Sequence, residues 1–299
     1  MNFKNRFSFL INWSKKIVLP GFKGMNLFEV ASFYFEGIEK GAITTRASSI
    51  AFNFFLAFFP ALIFLFTLIP YIPINDFQEI LLQLLNDVLP PSTNESFFLT
   101  LNNIINHPRG GLLSFGFIMA LYFSTNSVNS LMAAFNSSFH IKESRSAWKQ
   151  RLIALNLTII LAIMLIVAIS LIVFTQIAQS YLVKWGFIEP SSLTLIYFGK
   201  WIILLSFLFF GISTLFRFGP AQKTDWNFFS PGAILATFFI VITSLGFGYY
   251  IENFSQYNRL YGSIGTLIIV LLWLYFNAIV MLIGFELNTS IFKAIKTEK

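Results

Sequence analysis

From Ala47 to Ile69 the chain reads ASSIAFNFFLAFFPALIFLFTLI, without a single charge, bounded by Arg46 and Pro70. About twenty such residues, wound as a helix, cross the ~30 Å hydrocarbon core of a bilayer. A water-soluble fold would need apolar cover on both faces of so long a helix. Five further stretches of similar character follow. The chain therefore reads as all-α: a polytopic membrane helix bundle, with spans at 47–69, 111–135, 152–178, 195–217, 229–250 and 263–288. Continuous runs satisfy their own backbone as helices, whereas a membrane barrel alternates apolar and polar residues over ~10-residue strands.

The remaining composition narrows the chemistry. Charged residues are 11% of the 299, hydrophobic ones 56%, against about 25% charged in soluble domains. There is no cysteine, so disulfides and thiolate chemistry are excluded. His107 and His140 are the only histidines, too few for a histidine-built metal site. No phosphate-binding G-x-x-x-x-G-K-[ST], no H-E-x-x-H and no acidic cluster of the two-metal kind occurs. The expectation is no catalytic residue, no metal, no cofactor and no enzyme activity. A net charge of +7 could suggest nucleic acid. The basic residues lack the aromatic interleaving of RNA binders, so the partners expected are membrane lipids, with self-association left open.

Placement of those basic residues sets the orientation. With six spans both termini share a side, and segments 1–46, 136–151, 217–228 and 289–299 hold 16 of the 20 Lys and Arg residues. The other four are Arg109, Lys184, Lys200 and Arg259. The positive-inside rule then puts both termini in the cytoplasm of a bacterial inner membrane. Three regions follow: an interfacial segment at 1–46, a six-span domain at 47–288, and a short basic tail at 289–299. Phe3, Phe7, Leu10, Ile11, Ile17 and Val18 share a helical face in the first region, which reads as a surface helix and not a cleaved signal. Between the first two spans, 74–107 carries two amphipathic stripes broken at Pro90-Pro91, an outer helical hairpin.

Polar side chains inside spans are costly and face the bundle interior or a wet cavity. Glu286, near the cytoplasmic end of the last span, is the most prominent, and Arg46 or Arg217 lies at a depth to pair with it. Such a pair reads either as a lock between helices or as a substrate and gating site. Asn126, Asn129 and Ser130 form a polar stripe on the second span, and Asn53, Asn156 and Asn277 add one amide each from three others. Asn277, Gly284 and Asn288 share one face of the last span. Amides and small residues either glue helices together or line a polar cavity.

Several motifs recur in a recognisable order: RASSIAFNFFLAFFP at 46–60, GLLSFG at 111–116, AAFN at 133–136, PGA at 231–233, YGSIGT at 261–266, LLWLY at 271–275 and GFELN at 284–288. Together they resemble the YihY/BrkB-like family of bacterial inner-membrane proteins over roughly 28–292. The resemblance implies six helices with cytoplasmic termini and does not supply an activity. Members have carried a ribonuclease name, a serum-resistance label and suggestions of lipid or solute export. One departure is Phe285, where the family more often has alanine before the glutamate. The functional expectation is a transporter or flippase-like exporter of a lipid or amphipathic anionic envelope component. Its rivals are a non-catalytic scaffold and a membrane-embedded enzyme.

Overall fold

A computed structural model describes residues 14–18, 21–22, 24–71, 108–138, 145–184, 193–221, 228–253 and 263–297. The outer hairpin at 74–107 and the expected surface helix as far as residue 13 lie outside the described residues; Ile17 and Val18, expected on that helix, follow a turn at 15–16 and are not helical. Seven helices of more than one turn are described: α1 (Leu27–Lys40), α2 (Ile43–Leu68), α3 (Gly110–Asn136), α4 (Ala147–Lys184), α5 (Leu193–Phe218), α6 (Pro231–Asn253) and α7 (Ser263–Thr297). Six of them contain stretches long and apolar enough to cross a membrane: Ile43–Tyr71, Gly110–Asn136, Ala147–Ile172, Phe198–Phe218, Pro231–Ile251 and Leu267–Ile295. These coincide with the six expected spans to within a few residues at most ends, and within about seven at the end of the last.

Local chemistry accounts for the helix ends. Asn26 caps α1, its side chain accepting from the Glu29 N–H at 2.9 Å, and Glu29 places a negative charge on the helix N-terminus. After Gly41, Ala42 takes a positive φ of 44° and the chain restarts as α2. That left-handed residue separates α1 from a helix long and apolar enough to cross a membrane. Pro60 sits inside α2 and removes one backbone donor, which spanning helices tolerate. The α2 helix stops at Leu68, and Pro70 lies in the single 3₁₀ turn Ile69–Tyr71 that follows. At the other proline boundary, Pro231 occupies the first position of α6, where its missing N–H would have had no partner. Ser230 caps this helix, accepting from the Ala233 N–H at 3.3 Å.

The chain divides into two compact units, Met1–Ala51 with Val128–Lys299, and Phe52–Ser127. In the first, α7 packs on α6 and α1, α5 on α4 and α6. The α6–α7 contact is made by small residues: a Cβ on Gly284 would stand 2.7 Å from the Ala236 Cβ, and one on Gly232 would collide with the Gly284 carbonyl. This is the small-residue spacing that lets membrane helices approach backbone to backbone. The α1–α7 contact is apolar, built from Val30, Ile291 and Ala294 with Leu27, Phe33 and Ile295. Residues 289–297, expected as part of a short tail, are therefore the last turns of α7. Ile291 and Ala294 continue its apolar stripe and bury it against α1.

In the second unit the parts of α2 and α3 that belong to it meet at Gly116, where a Cβ would stand 3.2 Å from the Phe64 N. Phe64 and Phe117 lie ring to ring at 5.4 Å. Throughout the spans, large side chains such as Ile163, Ile166, Ile202, Phe238, Ile242 and Tyr249 are exposed. In water that would be a liability; in a bilayer it is the lipid-facing surface.

Candidate functional site

Glu286 is wholly buried, and each of its carboxylate oxygens has a protein partner. The Arg46 Nη2 donates to Oε1 at 2.8 Å, the Ser138 hydroxyl to Oε2 at 2.8 Å, and the Thr289 hydroxyl to Oε2 at 3.2 Å. Arg46 is 9% exposed and also donates from Nη1 to the Ala134 carbonyl at 2.8 Å. The pair thus joins the start of α2, the end of α3 and α7. Bringing two opposite charges out of water is repaid only when the remaining lone pairs and protons are also met. Here both carboxylate oxygens are met, and of the pair's polar atoms only the Arg46 Nε–H is buried without a partner among the described residues.

Neighbouring residues explain how such a pair fits. A Cβ on Gly41 would stand 2.6 Å from the Arg46 Nη2 and would strike the Gly37 carbonyl. Glycine at 41 is thus required by space. On the other side Phe135 stacks on Phe285 at 4.2 Å and 17°, and Phe216 meets both rings edge-on at 5.5 Å. Phe285, the departure from the family pattern, is fully buried in this aromatic wall. Outside the spans, on α1, the Tyr34 phenol is pushed up to about 12, first by burial and then by the negative charge of Glu286.

Of the two arginines that could have paired with Glu286, the structure uses Arg46. Arg217 is exposed and lies over the rings of Phe228, at 4.8 Å, and Phe218, at 5.7 Å. The amides divide. Asn288 is buried and structural: its Oδ1 accepts from the Gly232 N–H at 2.8 Å and its Nδ2 donates to the Ser230 hydroxyl at 2.9 Å, tying α7 to the start of α6. Asn156 is exposed on the same face of α4 as Leu152, Ile159, Ile160 and Ile163, all exposed as well. It stands on the lipid-facing stripe, because positions three, four and seven apart share a helix face. Asn129 is partly buried, as are Asn126 and Asn53 in their unit, and the Asn53 carbonyl accepts from Ser127 at 2.8 Å. Ser130 and Ser49 share a hydrogen bond at 3.2 Å between α3 and α2.

Asn277 differs from all of these. Its Nδ2 donates to the Trp273 carbonyl one turn back at 2.7 Å, but its Oδ1 is buried with no hydrogen-bond partner among the described residues. It lies about 15 Å along α7 from the start of the span at Leu267. Trp273, on the same face, donates to Ser244 of α6 at 3.3 Å. In the other unit Thr125 holds the same status: it is buried and its hydroxyl has no partner among the described residues. The contrast with Thr67, Thr158, Thr175 and Thr237 is direct, since each of those donates to the carbonyl one turn back.

Sequence reasoning missed Ser138, Thr289 and Gly41 around the pair, and also Asn136 and Arg145. The Asn136 Oδ1 accepts from the Ala221 N–H at 2.7 Å, and Arg145 donates to the Gly219 carbonyl at 2.8 Å. Only Thr289 and Ser290, three and four residues after Glu286, carried a readable signal, because that spacing shares its helix face.

Six apolar crossings, an ion pair sealed between three helices and scattered intramembrane amides define a multi-pass α-helical membrane protein. The chain belongs to the family described as Virulence factor BrkB, which it matches over residues 34–299. It is 31% identical to the protein of Bacillus subtilis named ribonuclease-like protein YfkH, over 83% of this chain and 90% of that one. A UPF0761 membrane protein of Aggregatibacter aphrophilus is 25% identical over 90% of this chain and 93% of its own. A UPF0761 membrane protein of Stenotrophomonas maltophilia is 33% identical over a shorter stretch, 31% of this chain and 23% of its own. No solved structure matches.

Proposed function

We propose that the protein moves a lipid or another amphipathic anionic envelope component across a bacterial inner membrane, with both termini cytoplasmic. The orientation follows the basic residues, 16 of 20 on the side of the termini. The observation that carries the transport reading is the Asn277 Oδ1, a buried amide oxygen in the span to which nothing donates among the described residues. An unmet buried acceptor costs about 1–3 kcal/mol, and more where no water is near. A chain gains by keeping it when a passing hydroxyl, ammonium or water fills it. Thr125 supports the reading from the other unit. Arg46 and Glu286 take a different role from the one expected of a gate for headgroups. Their charges are already committed to each other, so they lock one end of the bundle while substrate is handled elsewhere.

The sealed pair also favours a second reading, a scaffold that transports nothing. A ribonuclease activity draws no support from the residues: among those described, no three His, Cys, Asp or Glu side chains come together. The test is flux of a fluorescent anionic phospholipid across proteoliposomes. Transport predicts flux above empty vesicles and at least a several-fold loss in Asn277→Leu. Flux equal to empty vesicles leaves the scaffold, and full flux in Asn277→Leu removes the role given to that amide.

A further inference from the structure

We infer that the ends of α4, α5 and α6 nearest the termini form a binding site for an acidic phospholipid, with Arg217 holding the phosphate. This goes beyond transport and does not depend on it, because a resident lipid would occupy the site in a transporter or a scaffold alike.

Arg217 is the next-to-last residue of α5, and its guanidinium lies over the Phe228 and Phe218 rings. The two rings, at 65° to each other, flank the group; a guanidinium so placed can still fork onto a planar or tetrahedral anion with two hydrogen bonds. Nothing described neutralises it. Residues 145–160, 210–221 and 228–240 include no Asp or Glu, and no carboxylate pairs with Arg217 among the described residues.

The neighbouring helix adds to the charge. Arg145 donates to the Gly219 carbonyl at 2.8 Å, two residues beyond Arg217, which brings the first turn of α4 to this end of α5. The first two turns of α4 carry Lys149 and Arg151, both exposed. The same ends carry the exposed aromatics Trp148, at 73%, and Phe218, at 48%. The crossing stretches Ala147–Ile172, Phe198–Phe218 and Pro231–Ile251 all begin or end here, so these two rings lie at headgroup depth, while the exposed Phe229 ring sits deeper, against Phe209 and Phe210. Below Phe229, Ile234 and Phe238 are exposed one turn apart on α6 and offer a path for an acyl chain. Phosphate contact above and apolar contact below are the two halves of a phospholipid; a free phosphate would use only the first.

The experiment is native mass spectrometry of the full-length protein in detergent, titrated with dioleoylphosphatidylglycerol or dioleoylphosphatidylcholine. The site predicts preference for phosphatidylglycerol, and about fivefold weaker binding of it in Arg217→Gln, the effect of one basic residue at a membrane surface. Arg217→Lys should recover only part, since an ammonium lacks the fork. Phosphatidylcholine binding should not change, and millimolar inorganic phosphate should not displace the lipid. Wild-type affinity for phosphatidylglycerol in Arg217→Gln, no preference between the lipids, or displacement by inorganic phosphate would each overturn the inference. Should Arg217→Gln lower the melting temperature, Arg217→Lys decides instead: weaker phosphatidylglycerol binding supports the site, and unchanged binding removes it.

Discussion

Two polar residues on one helix, Glu286 and Asn277, stand about 14 Å apart along α7 and are treated in opposite ways. Glu286 carries a full charge, yet its carboxylate is met by Arg46, Ser138 and Thr289 and walled off by Phe135, Phe216 and Phe285. Asn277 carries no charge, yet it keeps a buried oxygen unmet. The more expensive group is the better satisfied. A charge left alone in the bilayer would unfold the chain, so its partners are fixed; an orphan amide is tolerable and can be kept for use. The saturated Glu286 carboxylate thus reads as structure, and Asn277, whose oxygen has no donor among the described residues, is the candidate for function.

The largest effect expected from this contrast is on the pair. Arg46→Ala leaves Glu286 buried and uncompensated and should cost about 3–5 kcal/mol. It reads out as a strongly lowered melting temperature in detergent. Replacing both residues with apolar ones of similar volume should restore most of the loss, since a buried pair is worth little over good packing. If the double variant is as unstable as the single one, the two residues do not act as a pair.

Ser138→Ala should come next, at about 1.5–3 kcal/mol, because it removes a hydrogen bond to an ionised acceptor. Close behind is Gly232→Ala, whose Cβ would strike the Gly284 carbonyl and stand 2.7 Å from the Asn288 side chain. Overpacking of this kind costs roughly 1–3 kcal/mol. An unaltered melting temperature in either variant would show that this end of the bundle is looser than described.

A smaller effect concerns pH. The raised pKa of Tyr34 means the folded state favours the neutral phenol, so its stabilising contribution is complete below pH 10. It is lost as pH climbs from 10 through about 12. Tyr34→Phe should flatten the melting curve in that window and leave neutral pH unaffected. The smallest stability change is expected for Asn277→Leu, neutral or slightly stabilising, because it removes an unmet polar atom. Its signature is lost flux with retained fold.

Much of this was legible in the residues. Six apolar runs specify six crossings because hydrocarbon admits no other backbone solution, and Pro231 and Pro70 punctuate helix ends as their missing N–H dictates. That Glu286 would pair with a basic residue was legible from its depth alone. Its partner was not: Arg46 and Arg217 both lie on its side of the membrane, and 240 residues separate Arg46 from Glu286. Choosing between them needs the fold, which places Gly41 to make room for one and aromatic rings under the other. Asn156 was misread as facing inward because α4 is apolar on nearly every face, leaving no polar stripe to orient it. The end of α7 reads as tail in the sequence because Lys293 and Lys296 interrupt the apolar stripe of Ile291 and Ala294.

Thiol labelling puts the contrast to its sharpest trial, since the native chain has no cysteine. Asn277→Cys and Asn156→Cys, each in proteoliposomes, are exposed to a small, charged, membrane-impermeant reagent. Label at position 277 and none at 156 is the result this account predicts: water and substrate reach the first, and lipid covers the second. Silence at 277, or equal labelling at both, contradicts it.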